Sequence, residues 1–407
     1  MNYDIINLLM EKNMKLNEEY NVIINDIDNN MNGITRIDNF VIFVPYALKD
    51  EEVTIKIVDI KKRYAVGRIV KFIKKSKIRN NKVCDKYFEC GGCSFLHTTF
   101  DMEIECKKQE LCKLFNIDNI NILTNNEFNY RNKATFHVIN GKIGYFSEKS
   151  CNLVCFNECM LVDKKINKIY NYLKKCDLYN IDSVIVRVSN NEIMVIFRGN
   201  RETFYDNGLF DQVDSVYLNN KLIYGNSYII MNINGFKYSI YPDAFFQVNT
   251  ENMKIMYDKV KEYAQSGNNL LDLYCGTGTI GIYLSNNFKS ITGIEINSNS
   301  IKSANINKKL NNINNINFIC GDAKIASKNN YDVIVVDPPR NGLSKDVIKY
   351  LNNSKTKRII YVSCNPKTLK RDIDLLNNYN LTKIEGINMF NKTKHVESVC
   401  ILERKYS

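Results

Sequence analysis

After Tyr241 the chain settles into a rhythm that few architectures can satisfy: short apolar runs, each followed by a segment of helical spacing. The runs are NLLDLY, SITGIEI, INFICGD, YDVIVVD, RIIYVSC, TKIEGINMF and HVESVCILER; TIGIYLSNN and NSIKSANINKKLNN are among the segments between them. Strands apolar along their length must be covered on both faces, and intervening helices supply that cover. The pattern therefore predicts an α/β fold with a doubly wound, mostly parallel sheet. Such sheets bind ligands beyond the carboxyl ends of their strands, so the residues at those ends carry the functional reading.

The first strand end reads LLDLYCGTGTIG. Gly276, Gly278 and Gly281 have a G-x-G-x-x-G spacing, and Glu295 closes the next strand, placed to bind two ribose hydroxyls. This much fits a nicotinamide enzyme as well as a methyltransferase. Asp272 precedes the glycines, where it suits a cationic ligand's amino group and would repel a pyrophosphate. Later strands also end in acid, at Asp322 and Asp337. Together these favour S-adenosylmethionine. Pro338-Pro339 makes a rigid ledge after Asp337, and Arg340 beyond it suits a phosphate.

In IIYVSCNPKTLKRD, Cys364 ends a strand of the same sheet and precedes a helix. Proximity to the helix N-terminus, Lys367, Lys370 and Arg371 predicts a lowered thiol pKa and a nucleophilic role. Cys320 and Cys400, among apolar neighbours, read as inert buried thiols. Carbon 5 of a pyrimidine is barely nucleophilic, but a thiolate adding at carbon 6 turns it into an enolate carbon able to take a methyl group. A base must then remove the carbon 5 proton. Glu397, inside the apolar alternation of KHVESVCILER, is the candidate, with burial expected to raise its pKa. His395 orients substrate or simply packs.

Upstream, residues 17–75 contain four or five short strand-like runs separated by turn signals, which suggests a small β-barrel. The net charge of the 407-residue chain is +12, and Lys61 to Val83 contains no acid. A one-sign block repels itself unless a polyanion is near, which points to nucleic acid. Val66, Ile69, Val70 and Phe72 read there as strand core, which speaks against an amphipathic helix on an anionic membrane. The middle of the chain combines a helix over 101–115 with alternating runs such as ATFHVING, SVIVRVS and EIMVIFRG, implying a mixed, largely antiparallel domain. The expected domains are 1–76, 77–240 and 241–407.

Thirteen cysteines without an export signal do not suggest a disulfide framework. CDKYFECGGC spaces Cys84, Cys90 and Cys93 as C-x5-C-x2-C, a metal-type pattern open to zinc or an iron–sulfur cluster. A fourth thiolate would come from Cys151, Cys155 or Cys159. The radical-type C-x3-C-x2-C spacing is absent. No run reaches the ~20 apolar residues of a membrane span, so a cytoplasmic protein without a membrane partner is expected.

These pieces resemble, over nearly the whole chain, the bacterial RNA 5-methyluridine methyltransferases, especially those acting on 23S ribosomal RNA. The barrel resembles that family's RNA-binding TRAM domain. The cysteine motif resembles its [4Fe–4S] site, and NECML implies Cys159 as fourth ligand beside Cys84, Cys90 and Cys93. YRNKATFHV at Tyr130 resembles an RNA-facing segment. DAFFQVN implies Gln247, and DLYCGTGTIG implies Tyr274, as cofactor residues with Glu295, Asp322 and Asp337. YVSCNPKTLKRD and HVESV match the nucleophile motif at Cys364 and the base motif at Glu397. Asn391 stands where relatives read Phe-Pro, and Thr279 where some use Asn. The resemblance implies a class I S-adenosylmethionine-dependent enzyme methylating uridine C5 in 23S RNA, acting as a monomer. Rival readings are a transfer RNA uridine-54 methyltransferase, whose members commonly lack barrel and cluster motif, and a non-catalytic RNA-binding or assembly factor.

Overall fold

Period-two alternation in FVIFVP and EVTIKIVDI turns every second side chain inward, and that is how the first region of the chain folds. The computed structural model describes residues 14–28, 31–147, 150–323 and 330–405. Its contacts group it into two units, one reaching to Glu110 and including Lys392–Lys394, the other made of Leu111–Asn391 and His395 onward.

In the first unit six strands form one sheet: Glu19–Ile23, Asp26–Ile27, Asn32–Ile37, Phe40–Pro45, Glu52–Ile60 and Tyr64–Lys74. It curls around Ile24, Ile42, Val44, Ala47, Val53, Ile55, Ile57 and Ala65, the small barrel-like core that the alternation predicts. One expected core residue is not there. Val70 is 49% exposed, and so is Ile73 to a similar degree. The register explains both. Thr54 pairs with Lys71 and Ile55 with Ile69, leaving Val70 as the extra residue of a bulge; Ile73 is skipped in the same way between Phe72 and Lys74. Bulged residues lose their partner and turn outward. The helix expected at 101–115 runs Phe100–Phe115.

The second unit holds two large sheets and a hairpin. A seven-stranded sheet from Lys133–Ile139 to Lys221–Gly225 is antiparallel except where Ile193–Gly199 runs parallel to Ser215–Leu218. The hairpin is Ile229–Ile233 with Phe236–Ile240. The eight-stranded sheet has the order Ile316–Cys320, Phe288–Glu295, Gly267–Leu273, Val333–Val336, Arg358–Ser363, Glu397–Arg404, Tyr379–Ile387 and Ile122–Leu123. Its first five strands are mutually parallel, whereas Glu397–Arg404 runs antiparallel to both its neighbours. This is the doubly wound fold read from the strand–helix rhythm. Leu270, Ile291, Val335, Ile360 and Val399 form part of its core. Among the described residues no helix is long and apolar enough to cross a membrane.

Ile360→Ala, at a fully buried position of this core, should cost about 2–5 kcal/mol of stability. Val70→Ala should stay within about 0.5 kcal/mol. Denaturant unfolding of the two variants against the parent protein measures the contrast.

Candidate active site

The first strand tip shows how the glycine loop is held. Gly276 and Gly278 have φ of +53° and +78°, and a Cβ at Gly278 would come within 2.5 Å of the Phe318 ring. Only glycine satisfies both demands. Asp272 is fully buried below the loop; its Oδ2 accepts the Gly281 N–H at 3.0 Å. Its Oδ1 is buried without a hydrogen-bond partner among the described residues. A buried carboxylate oxygen left over in this way fits a cationic group of a ligand. Burial, with Asp337 and Glu295 nearby, pushes Asp272 up to about 8, against the Gly281 hydrogen bond.

Glu295 is locked by main-chain donors, Gly276 N to Oε2 at 3.2 Å and Asn297 N to Oε1 at 2.8 Å. Tyr274 has a left-handed backbone, φ +63°, and a half-buried ring. Burial, then Asp322 and Asp372, push its hydroxyl up to about 12, so Asp322 shares this edge although its own side chain is exposed. Gln247 is half-buried, and the Asn132 amide holds its main-chain carbonyl at 2.9 Å.

Two more tips complete the edge. Val333–Val336 delivers Asp337, which burial pushes up to about 7. Arg358–Ser363 delivers Cys364. Its neighbour Glu397–Arg404 runs the other way, and the register pairs Ser363 with Ser398. One step further along that register sets Cys364 opposite Glu397. Opposed residues of an antiparallel pair stand on one face with Cβ atoms ~5 Å apart. Glu397 is buried and pushed up to about 8 by burial and by Asp337, while Arg340 pulls the other way. Arg340 is tied to the Cys364 turn, its carbonyl accepting from Asn365 Nδ2 at 3.1 Å and Thr368 Oγ1 at 3.2 Å.

The thiol does not have the low pKa expected of it. Burial raises it first, then Glu397 and Asp337, with Arg340 lowering it. Two of the three cations that were to activate it are engaged on their own helix: Lys370 with Asp374 at 2.5 Å, Arg371 with Asp372 at 2.6 Å. One further expectation changes. Cys320 is exposed, unlike the buried Cys400. Tyr130 is buried and donates its hydroxyl to the Asn391 carbonyl at 2.8 Å. His395 is exposed, its ring edge-on to Phe390.

Tyr257 is a site residue that sequence reading missed. It is buried on the helix Thr250–Ala264, donates to Thr279 Oγ1 at 2.8 Å, and its hydroxyl is pushed up by burial and by Asp337, Asp272 and Glu397. Its helical apolar spacing marks it only as core.

The cysteine loop lies in the first unit. Cys84, Cys90 and Cys93 are half-buried; Cys84 Sγ accepts the Lys86 N–H at 3.4 Å. Tyr87 anchors the loop through the Ser94 carbonyl at 3.0 Å and His97 Nδ1 at 2.6 Å. Burial, and behind it Arg79, drive His97 down to about 3, so it is neutral. Among the described residues no three Cys, His, Asp or Glu side chains come together to hold a metal ion.

Fold, glycine loop and the acids Asp272 and Asp337 at the strand tips together define a class I S-adenosylmethionine-dependent methyltransferase. The comparisons narrow this. Residues 214–328 and 322–405 match the family model described as tRNA (Uracil-5-)-methyltransferase, and residues 14–70 match the TRAM domain. Proteins named as RNA methyltransferases in Clostridium tetani and Halalkalibacterium halodurans are each 31% identical, over 96% of this chain and 97% and 98% of theirs. The solved Pyrococcus abyssi tRNA (uracil-54, C5)-methyltransferase, in complex with S-adenosyl-L-homocysteine, is 26% identical with a TM-score of 0.80, over 94% of this chain and 100% of that one. The chain belongs to the RNA uracil-5 methyltransferase family and is an S-adenosylmethionine-dependent RNA methyltransferase.

A cation brought to raised carboxyls lowers their pKa, so cofactor binding should expel protons. Calorimetry at pH 7 in buffers of different ionisation enthalpy should show on the order of one proton released per site, and affinity rising from pH 6 to 8. Asp272→Asn should weaken binding roughly 10–100-fold and reduce that release. Buffer-independent binding enthalpies would contradict this electrostatic reading.

Proposed function

We propose that this enzyme methylates carbon 5 of a uridine in RNA, with Cys364 as nucleophile, Glu397 as the proton acceptor and 23S ribosomal RNA as substrate. The observation that supports the proposal is the pairing of Ser363 with Ser398, a register that, continued by one step, puts Cys364 opposite Glu397. Gln247, Tyr274, Glu295, Asp322 and Asp337 are proposed to hold the cofactor, with Asp272 beneath its cationic end. When bound, S-adenosylmethionine supplies an electrophilic methyl group on a sulfonium.

The target base leaves its stack to reach the cleft, as bases must for chemistry at ring atoms. Cys364 Sγ bonds to carbon 6, and the electron pair of the 5,6 double bond moves toward carbon 5. Arg340 opposes the rise in thiol pKa and favours the thiolate. Carbon 5 takes the methyl group. Glu397 then removes the carbon 5 proton, the double bond re-forms, and the carbon 6–sulfur bond breaks to return the thiolate. Glu397 must be ionised for this step. With its carboxyl raised to about 8, the rate should climb with pH toward that value and fall below it.

The basic strand supports phosphate binding. Arg68 and Lys71 are exposed on Tyr64–Lys74, whereas Arg79 is spent on buried Glu51 at 2.5 Å. A [4Fe–4S] cluster on Cys84, Cys90, Cys93 and Cys159 belongs to the proposal on motif resemblance alone, and no step runs through it. Anaerobic purification should give about four irons per chain; iron-free active enzyme would remove the cluster. A cytoplasmic, monomeric enzyme is part of the same reading.

One observation favours a second substrate. The Pyrococcus abyssi enzyme acts on tRNA and matches 94% of this chain, so overall architecture does not argue against transfer RNA. Mapping 5-methyluridine in 23S and transfer RNA from cells with and without the gene separates the two.

Cys364→Ala should abolish methylation and capture of 5-fluorouridine RNA, and Glu397→Gln should let a covalent RNA adduct accumulate. An active Cys364→Ala enzyme would end the proposal. Reversing Arg68 and Lys71 to glutamate should lower the salt slope of RNA binding by about one for each phosphate left without its cation; an unchanged slope would clear them of that role.

A further inference from the structure

Cys364 and Arg340 lie beyond the tips of two neighbouring parallel strands, Arg358–Ser363 and Val333–Val336. The helix that follows the thiol, Pro366–Leu375, ties them together. Asn365, Thr368, Arg371 and Asp372 recur at helical spacing and so share one face. That face grips the segment 340–343. Asn365 Nδ2 and Thr368 Oγ1 donate to the Arg340 carbonyl at 3.1 and 3.2 Å, and Arg371 donates to the Asn341 carbonyl at 2.8 Å. Asp372, completely buried, accepts the Leu343 N–H at 2.7 Å. Gly342 has φ +74°, and a Cβ there would run into Asp372 Oδ2. The segment has little room to leave the helix.

Asn365 serves both sides with one amide. Its Oδ1 accepts the Lys367 N–H at 3.2 Å as the helix N-cap, while its Nδ2 holds the Arg340 carbonyl. Only this orientation of the amide satisfies an N–H on one side and a carbonyl on the other. Arg340 is exposed, and the hydrogen bonds that hold it are those to its main-chain carbonyl. The place of its charge therefore follows from the main chain.

That charge matters to the thiol. Burial raises Cys364 most, Glu397 on the antiparallel neighbour and Asp337 at the adjoining tip add to it, and Arg340 is the cation that opposes them. On the thiol's own helix Lys370 and Arg371 are paired with Asp374 and Asp372, and Lys367 is exposed. We propose that Asn365 is a positioning residue, whose amide holds Arg340 at the Cys364 turn so that the guanidinium acts on the thiol. This rests on the reading of Cys364 as the nucleophile. A nucleophilic cysteine works as its thiolate, which the carboxyls of this edge oppose; the amide keeps a compensating cation in place.

The test reads the thiol itself. The full-length enzyme is treated with iodoacetamide between about pH 6 and 10. Mass spectrometry follows the Cys364 peptide, with the exposed Cys320 in the same digest as control. Arg340→Met should slow alkylation of Cys364 roughly tenfold near neutral pH and move its midpoint upward. Asn365→Ser keeps an N-cap and removes the Nδ2 donor; it should slow Cys364 about threefold and leave Cys320 unchanged. Thr368→Val, which removes the other donor to the Arg340 carbonyl, should slow Cys364 as well. Arg340→Met combined with Asn365→Ser should be no slower than Arg340→Met alone, because a residue acting through another adds nothing once that other is gone.

Multiplied effects in the double variant would overturn the proposal, as would an unchanged rate in folded Asn365→Ser. Failure of both Asn365→Ser and Thr368→Val to fold would overturn it too, because these contacts would then hold the fold and not the charge. Methylation that survives Cys364→Ala removes the catalytic reading and this one with it. Methylation lost in Cys364→Ala, with the parent and Asn365→Ser alkylated alike, sinks this one alone.

Discussion

The site depends on one reversal of chain direction. Five parallel strands bring Tyr274, Glu295, Asp322, Asp337 and Cys364 to or just beyond their carboxyl ends, but a sixth parallel strand would send its first residue to the opposite edge. Because Glu397–Arg404 runs antiparallel to Arg358–Ser363, its amino end meets the carboxyl end of that neighbour. The Ser363–Ser398 pairing thus decides whether a thiol and a carboxyl face one ring. A register shift by one residue would turn one of them to the other face of the sheet.

The second constraint is charge. Asp272, Asp337 and Glu397 are pushed up to about 8, 7 and 8 by burial, with mutual repulsion adding for Asp272 and Glu397. A carboxyl raised in the folded state keeps a proton that the unfolded chain gives up near pH 4. Its contribution to stability is present below that pH and declines as pH climbs toward 8. The cofactor-free cleft therefore costs more stability the more alkaline the solution, and a cationic ligand offsets that cost. Burial, then Glu397 and Asp337, likewise raise the Cys364 thiol.

Much of this was legible in the chain. The strand ends were, because apolar runs with period-two or continuous patterning locate the tips, and the tips hold the acids and the thiol. Bulges were not, since nothing in YAVGRIVKFIK distinguishes Val70 from Ile69 until the register with Glu52–Ile60 skips it. The acidity of Cys364 was misread because Lys370 and Arg371 look like activators in sequence, yet each has a nearer carboxylate at Asp374 and Asp372. Tyr257 was hidden by its helix's core pattern.

The central claim is that carbon 5 exchanges its proton for a methyl group. RNA transcribed with uridine tritiated at carbon 5 tests it most directly, by counting tritium released to water against methyl groups incorporated. The account predicts equal release and incorporation. Methyl incorporation with the tritium retained would place the modification elsewhere and contradict it.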